Sequence, residues 1–144
     1  MPPSSRRQAS AASLYLAVAV GSGLGAVLRH GVALGVGASG GAALPLATLS
    51  VNIMGSFVIG FFATLTGPGG RAPVGPVGRQ FVMAGLCGGL TTFSIFSLET
   101  MQLLQTGRID AATSYVAISL LLWVPSAAAG HLLARRLNEH RRHG

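Results

Sequence analysis

Four long stretches without a charged residue decide what this chain can fold into. They run from Ala11 to Leu28, Leu44 to Thr66, Gln80 to Leu98 and Ala111 to Gly130, each 18 to 23 residues long. About 20 residues cross the hydrocarbon of a bilayer as a helix, at ~1.5 Å per residue. None shows the alternation of a barrel strand, and inside lipid only helices and closed barrels satisfy their own backbone groups. The pattern predicts an all-α membrane protein with four transmembrane helices. Composition agrees: 50% of the 144 residues are hydrophobic and only 9% are charged, against about 25% charge in soluble domains. A soluble enzyme and a disordered chain are both disfavoured.

The charges punctuate these stretches. All ten basic residues are arginines, and against Glu99, Asp110 and Glu139 they leave a net charge of +7. In a soluble protein that balance would suggest nucleic acid; here the arginines flank apolar runs, so no nucleic-acid partner is expected. Residues 1–10 form a polar segment, 11–134 the four-helix domain, and 135–144 a basic, solvated tail. Gly67 to Pro76 is dense in turn formers, and Gln105 to Arg108 gives a short third connection. Eight arginines fall on the side of both termini; Arg29 and Arg108 fall on the other. The excess places both termini in the cytoplasm. Arg6-Arg7 ahead of an apolar run also resembles a secretory signal, but the run is long for one and no soluble domain follows it. A lone cysteine, Cys87, excludes an internal disulfide framework and a cysteine-only zinc site.

Small residues inside the spans carry a packing signal. Gly21 to Ala26 fits the dinucleotide fingerprint G-x-G-x-x-A, yet no acid precedes Glu99 to hold a ribose. Gly21 with Gly25, and Gly85 with Gly89, instead read as G-x-x-x-G packing pairs. The paired Gly88-Gly89 and Thr91-Thr92 in the third span weaken a helix there. Two readings stay open: a continuous helix with a glycine face, or a break that frees backbone carbonyls as ligands for a hard cation.

The polar residues of the spans fall in register. Thr48, Asn52 and Ser56 share one face of the second helix, where Asn52 acts as interhelical glue or faces a water-filled path. Phe93 and Phe96 share one side just after the weak point, and aromatic ring edges are electropositive. Tyr115, Ser119 and Trp123 repeat every four residues on the fourth span, adding hydroxyl and indole donors. No acid lies deep in a span, since Glu99 and Asp110 sit at the edges; a proton-coupled cation exporter would need one. Neutral donors and ring edges suit a small, strongly hydrated anion.

Three blocks then resemble a known family. Gly23 to Arg29, Ala47 to Phe57 and above all Gly85 to Glu99 are similar to the signature blocks of the Fluc/CrcB fluoride channels, in the family's order from Leu14 to about Leu133. The resemblance implies a four-helix subunit whose third helix is broken mid-membrane, paired as an antiparallel, dual-topology dimer with two pores. It implies a structural sodium ion (Na+) at the dimer centre, held by the backbone carbonyls of Gly88 and Thr91. It implies a fluoride pathway along Phe93, Phe96, Asn52, Thr48, Tyr115 and Ser119, with Arg29 at a vestibule. His30, Ala47, Ile95 and Trp123 depart from residues common in the family, which there are tyrosine, glycine, threonine and serine.

The expected function is passive fluoride export across the cytoplasmic membrane, with lipid, fluoride and a second copy or a paired homologue as partners. The arginine bias keeps a fixed-orientation half of a heterodimer in view. A small multidrug-type transporter would need a carboxylate in the first span, which has none; a non-transporting membrane subunit would use the same residues for packing. No nucleophile–base pair or metal-ligand set points to an enzyme.

Overall fold

A computed structural model describes residues 9–37 and 44–140. The described residues contain helices and connections but no strand. Helix α1 covers Ala11–Gly37 and α2 Leu46–Leu65. The third span is assembled from pieces: α3 (Pro76–Gln80), a π-helical stretch (Phe81–Cys87), α4 (Gly88–Leu90) and α5 (Phe93–Gln105). Helix α6 covers Ile109–His140. Four of these paths are long and apolar enough to cross a membrane, Ala11–Val36, Leu46–Leu65, Pro76–Gln105 and Ile109–Glu139.

Local chemistry sets most of the ends. Pro76 opens α3 where its missing N–H costs nothing. The α5–α6 turn is a Schellman closure: Gly107 N–H bonds Leu104 O at 3.0 Å, Arg108 N–H bonds Leu103 O at 2.9 Å, and Gly107 takes φ +75°. Asp110 in the first turn of α6 complements that helix's dipole.

Two helices outrun their apolar stretches. The first span continues through Arg29 and His30 to Gly37, so Arg29 lies inside α1 and not at its end. The basic tail likewise begins as more of α6, where Arg135 Nε pairs with Glu139 Oε1 at 2.8 Å one turn on. Arginine is a good helix former, and Gly31, two residues past Arg29, is carried inside α1 and does not end it. Residues 1–8, 38–43 and 141–144 lie outside the described residues, and with them Arg6, Arg7, Arg141 and Arg142.

Two seams hold the bundle. Helix α1 packs along the π-helical stretch and α4, and α2 packs along α6. On the first seam the two predicted glycine pairs face each other: a Cβ on Gly85 would fall 2.9 Å from Gly21 Cα, and one on Gly25 would overlap the Leu86 carbonyl oxygen. The second seam uses Gly60 against Ala127 and Gly130 against Phe57. There the Ser126 hydroxyl donates to Ile53 O at 2.8 Å. Backbones this close gain dispersion contacts that lipid cannot supply. The enclosed core is small (Leu49, Phe96, Leu103, Ala112 and Tyr115), while large apolar side chains such as Tyr15, Leu34 and Leu121 face outward. Outward apolar surface is what a bilayer solvates.

A helix break flanked by two cavities

The third span is interrupted at Thr91 and Thr92. Both take extended backbone, with ψ of 157° and 122°, between α4 and α5. The interruption falls on the threonines, just past Gly88-Gly89. Thr91 closes the preceding turn, its N–H bonding Cys87 O at 2.9 Å and its hydroxyl the same oxygen at 2.8 Å. Thr92 opens the next helix, its hydroxyl accepting from the Ile95 N–H at 3.1 Å.

Asn52 repairs the gap. In an unbroken helix the Thr92 N–H would bond the Gly88 carbonyl; here it donates to Asn52 Oδ1 at 2.8 Å. Asn52 Nδ2 in turn donates to Thr92 O at 2.9 Å. A backbone donor and a backbone acceptor on one residue leave only one orientation for the carboxamide. The buried amide is therefore glue between α2 and the break, with one Nδ2 hydrogen left over.

Below the clamp sits a carboxylate that the uncharged stretches had placed at the membrane edge. Glu99 lies within the spanning segment Pro76–Gln105 and accepts from the Thr48 hydroxyl at 2.9 Å and the Tyr115 hydroxyl at 2.8 Å. One carboxylate so joins α2, α5 and α6. The hydroxyl hydrogens of Thr48 and Tyr115 point at it. Glu99 shares the inward spacing of Phe96 and Leu103, a signal that could have found it.

The aromatic pair divides. Phe96 is buried against Tyr115, ring centroids 5.1 Å apart, and meets Trp123 edge-on at 4.9 Å. Phe93 stays 73% exposed, its centroid 5.6 Å from that of Phe96. Ser119 is fully buried, one turn from Tyr115.

A cavity opens on each side of the clamp. One, of about 300 Å³, is lined by Asn52, Ser56, Gly88, Thr91, Phe93 and Trp123 among others. The other, of about 310 Å³, includes Arg29, His30, Thr48, Ile95 and Glu99. Arg29 Nη1 reaches from it to Thr91 O at 3.5 Å. The break thus separates a neutral chamber from one holding an arginine and a glutamate.

The carbonyls that the resemblance offers to a cation, those of Gly88 and Thr91, are neutral oxygens of the kind a hard cation takes. The Gly88 carbonyl has lost its helical donor to Asn52, and the space beside Gly88 is open. Thr91 O carries only the long contact from Arg29. Two neutral oxygens per chain are too few to replace a hydration shell, so a second chain would have to complete the set. Among the described residues no group of three or more His, Cys, Asp or Glu side chains could hold a metal.

Four spanning helices, an apolar exterior and a broken helix lined by polar groups define a multi-pass helical membrane protein. Residues 16–131 match the family described as CrcB-like protein, Camphor Resistance (CrcB). The chain belongs to that family. It is 47% identical over 140 residues to Fluoride-specific ion channel FluC 1 of Bradyrhizobium diazoefficiens, an alignment covering 97% of each chain. It is 49% identical over 127 residues to Fluoride-specific ion channel FluC 1 of Rhodopseudomonas palustris, covering 88% of this chain and 90% of that one. A third relative, Fluoride-specific ion channel FluC of Opitutus terrae, is 49% identical over 126 residues, covering 88% and 96%. These relatives are named as channels, not as enzymes.

Proposed function

We propose that this chain forms a fluoride-selective channel that lets fluoride leave the cell passively. The observation that carries the reading is the break at Thr91–Thr92: uncharged donors and aromatic rings converge on it, as a path for a small anion requires. Fluoride must shed water and still be released, so its sites have to be strong enough to admit it and weak enough to let it go. The spare Asn52 hydrogen, the Ser119 hydroxyl and the ring edges of Phe93 and Phe96 meet that condition. Thr48 and Tyr115 take part through Glu99: an anion at that level must displace the carboxylate from its two hydroxyl donors. Arg29 offsets the carboxylate at the vestibule and draws anions in.

The assembly is an antiparallel pair of chains with two pores. One chain leaves Phe93 on its surface and the neutral cavity open to one side. A second copy would cover both, and would bring its own Gly88 and Thr91 carbonyls to a central sodium ion. That ion acts as cement and as a modest positive charge between the pores. The eight-to-two arginine distribution suits, as the alternative, a variant of this assembly in which the chain inserts one way and pairs with an oppositely oriented homologue.

Fluoride efflux from liposomes, followed with an ion-selective electrode beside chloride-loaded controls, tests the reading. Fluoride should leave on adding protein while chloride stays. A folded, dimeric preparation that passes neither ion would overturn it, unless co-reconstitution with the paired homologue restores flux, which would select the heterodimer.

A further inference from the structure

Two side-chain polar atoms among the described residues are shielded from solvent and have no hydrogen-bond partner: Ser119 Oγ and Trp123 Nε1. They stand one helical turn apart on α6, on the face that also carries Tyr115. Buried polar groups are almost always paired, and the cost of leaving one bare rises in a low-dielectric interior. Two orphans side by side mark a place built for something else.

Their chemistry restricts what that is. An indole nitrogen donates and cannot accept, so its partner must bring a lone pair. A metal cation is excluded. The Glu99 carboxylate of α5 is already taken by the hydroxyls of Tyr115, one turn from Ser119, and of Thr48 on α2. The residues lining the neutral cavity with Trp123 include no acid and no base. Phe96 packs edge-on to the indole at an interplanar angle of 71°, fixing the ring.

We propose that the Trp123 indole N–H is a direct anion ligand on the permeation path, taking fluoride in relay with the Ser119 hydroxyl. The inference rests on the fluoride reading and adds a residue to it. A bare halide reaching this face of α6 would meet both donors, with the Phe96 ring packed beside the indole. The indole is rigid, so the site keeps its shape when the ion moves on.

Trp123 is the sole tryptophan of the chain, which gives the test its readout. Protein labelled with 15N-tryptophan is placed in lipid nanodiscs and titrated with sodium fluoride at constant total sodium, with sodium chloride as the control series. The indole N–H resonance should move downfield with fluoride and saturate, while chloride leaves it in place. Trp123→Phe keeps the ring system's bulk in part and deletes the donor; fluoride flux should fall about tenfold, as for a lost hydrogen bond to a charged group. The titration is done on the natural sequence, so it stands even if the variant folds poorly. An indole signal that ignores fluoride in protein that conducts it would overturn the proposal, assigning the N–H to water, to the Phe96 ring or to a second copy. Full flux through Trp123→Phe would overturn it too. Natural protein that conducts no fluoride would remove the parent reading and this one together.

Discussion

Gly88 and Gly89 are neighbours in sequence and opposites in use. Gly89 is pressed onto α1: a Cβ there would overlap the Ser22 carbonyl oxygen and lie 2.8 Å from Ser22 Cα. Gly88 faces open space, with nothing within 4 Å of such a Cβ. One helix turn therefore serves a tight seam on one face and an open backbone on the other. The seam needs small residues because lipid competes for every apolar contact except the closest ones. The break needs a polar side chain from elsewhere because a lost backbone bond cannot be made good by lipid.

The largest effects should come from filling the seam. Gly25→Val sets a branched side chain against Leu86 O and Leu90 N, backbone atoms that cannot swing aside. A cost above ~3 kcal/mol is expected from overpacking against a rigid neighbour. Loss of folded protein on size exclusion, beside wild-type yield, checks it. A Gly25→Val protein as stable as the parent would mean the seam is looser than its geometry.

The clamp comes next. Asn52→Leu leaves the Thr92 N–H and C=O without partners, a loss of about 3 kcal/mol for two buried groups. Asn52→Asp keeps the shape but cannot donate as a carboxylate, so Thr92 O meets an acceptor and any anion meets a negative charge. Thermal melting should fall for both variants, and fluoride flux should fall furthest for Asn52→Asp. If Asn52→Asp melts like the parent and conducts fully, the break is held by something other than this amide.

Phe93→Ile separates pathway from scaffold. Phe93 is largely exposed in one chain, so the fold should shift by less than ~0.5 kcal/mol. Fluoride flux should nevertheless drop about tenfold with the ring edge gone, the size of one aromatic interaction. Unchanged flux, measured with dimer content confirmed, would confine Phe93 to packing.

The seam was legible in the sequence and the clamp was not. Gly21, Gly25, Gly85 and Gly89 announce themselves because four-residue spacing is a property of one helix. Uncharged length marked the four spans for the same reason. Helix ends were less legible: a charge such as Arg29 marks where lipid contact becomes costly, but does not stop the backbone, so α1 runs on to Gly37. Asn52 was visible as a polar residue in an apolar run, yet its partner is a backbone freed forty residues later, which spacing cannot supply. Glu99 reads in sequence as the charged end of an uncharged run, because its worth lies in hydroxyls from α2 and α6 that meet it only in the folded chain. The π-helical turn at Phe81–Cys87 has no composition cue at all; such turns gather at functional sites, and only α4 separates this one from the break.

The smallest effect on the fold should be the most informative about assembly. Gly88→Ala adds one methyl where a single chain has room, at helical φ and ψ of −63° and −36°. Within one chain it should be neutral or stabilising by up to about 1 kcal/mol, through the reduced entropy of the unfolded chain. In the antiparallel pair proposed above, that methyl would stand at the seam between copies, beside the carbonyl proposed to hold sodium. The expected result is unchanged helix content with a weaker dimer, read as a shift towards monomer on dilution in detergent, and a smaller gain in stability on adding sodium. Gly89→Ala makes the matched comparison: it should damage the subunit itself, whatever its partner does. If Gly88→Ala dimerises as tightly as the parent and keeps its sodium response, the open face of this turn lies away from the second copy, and the pairing must use another surface.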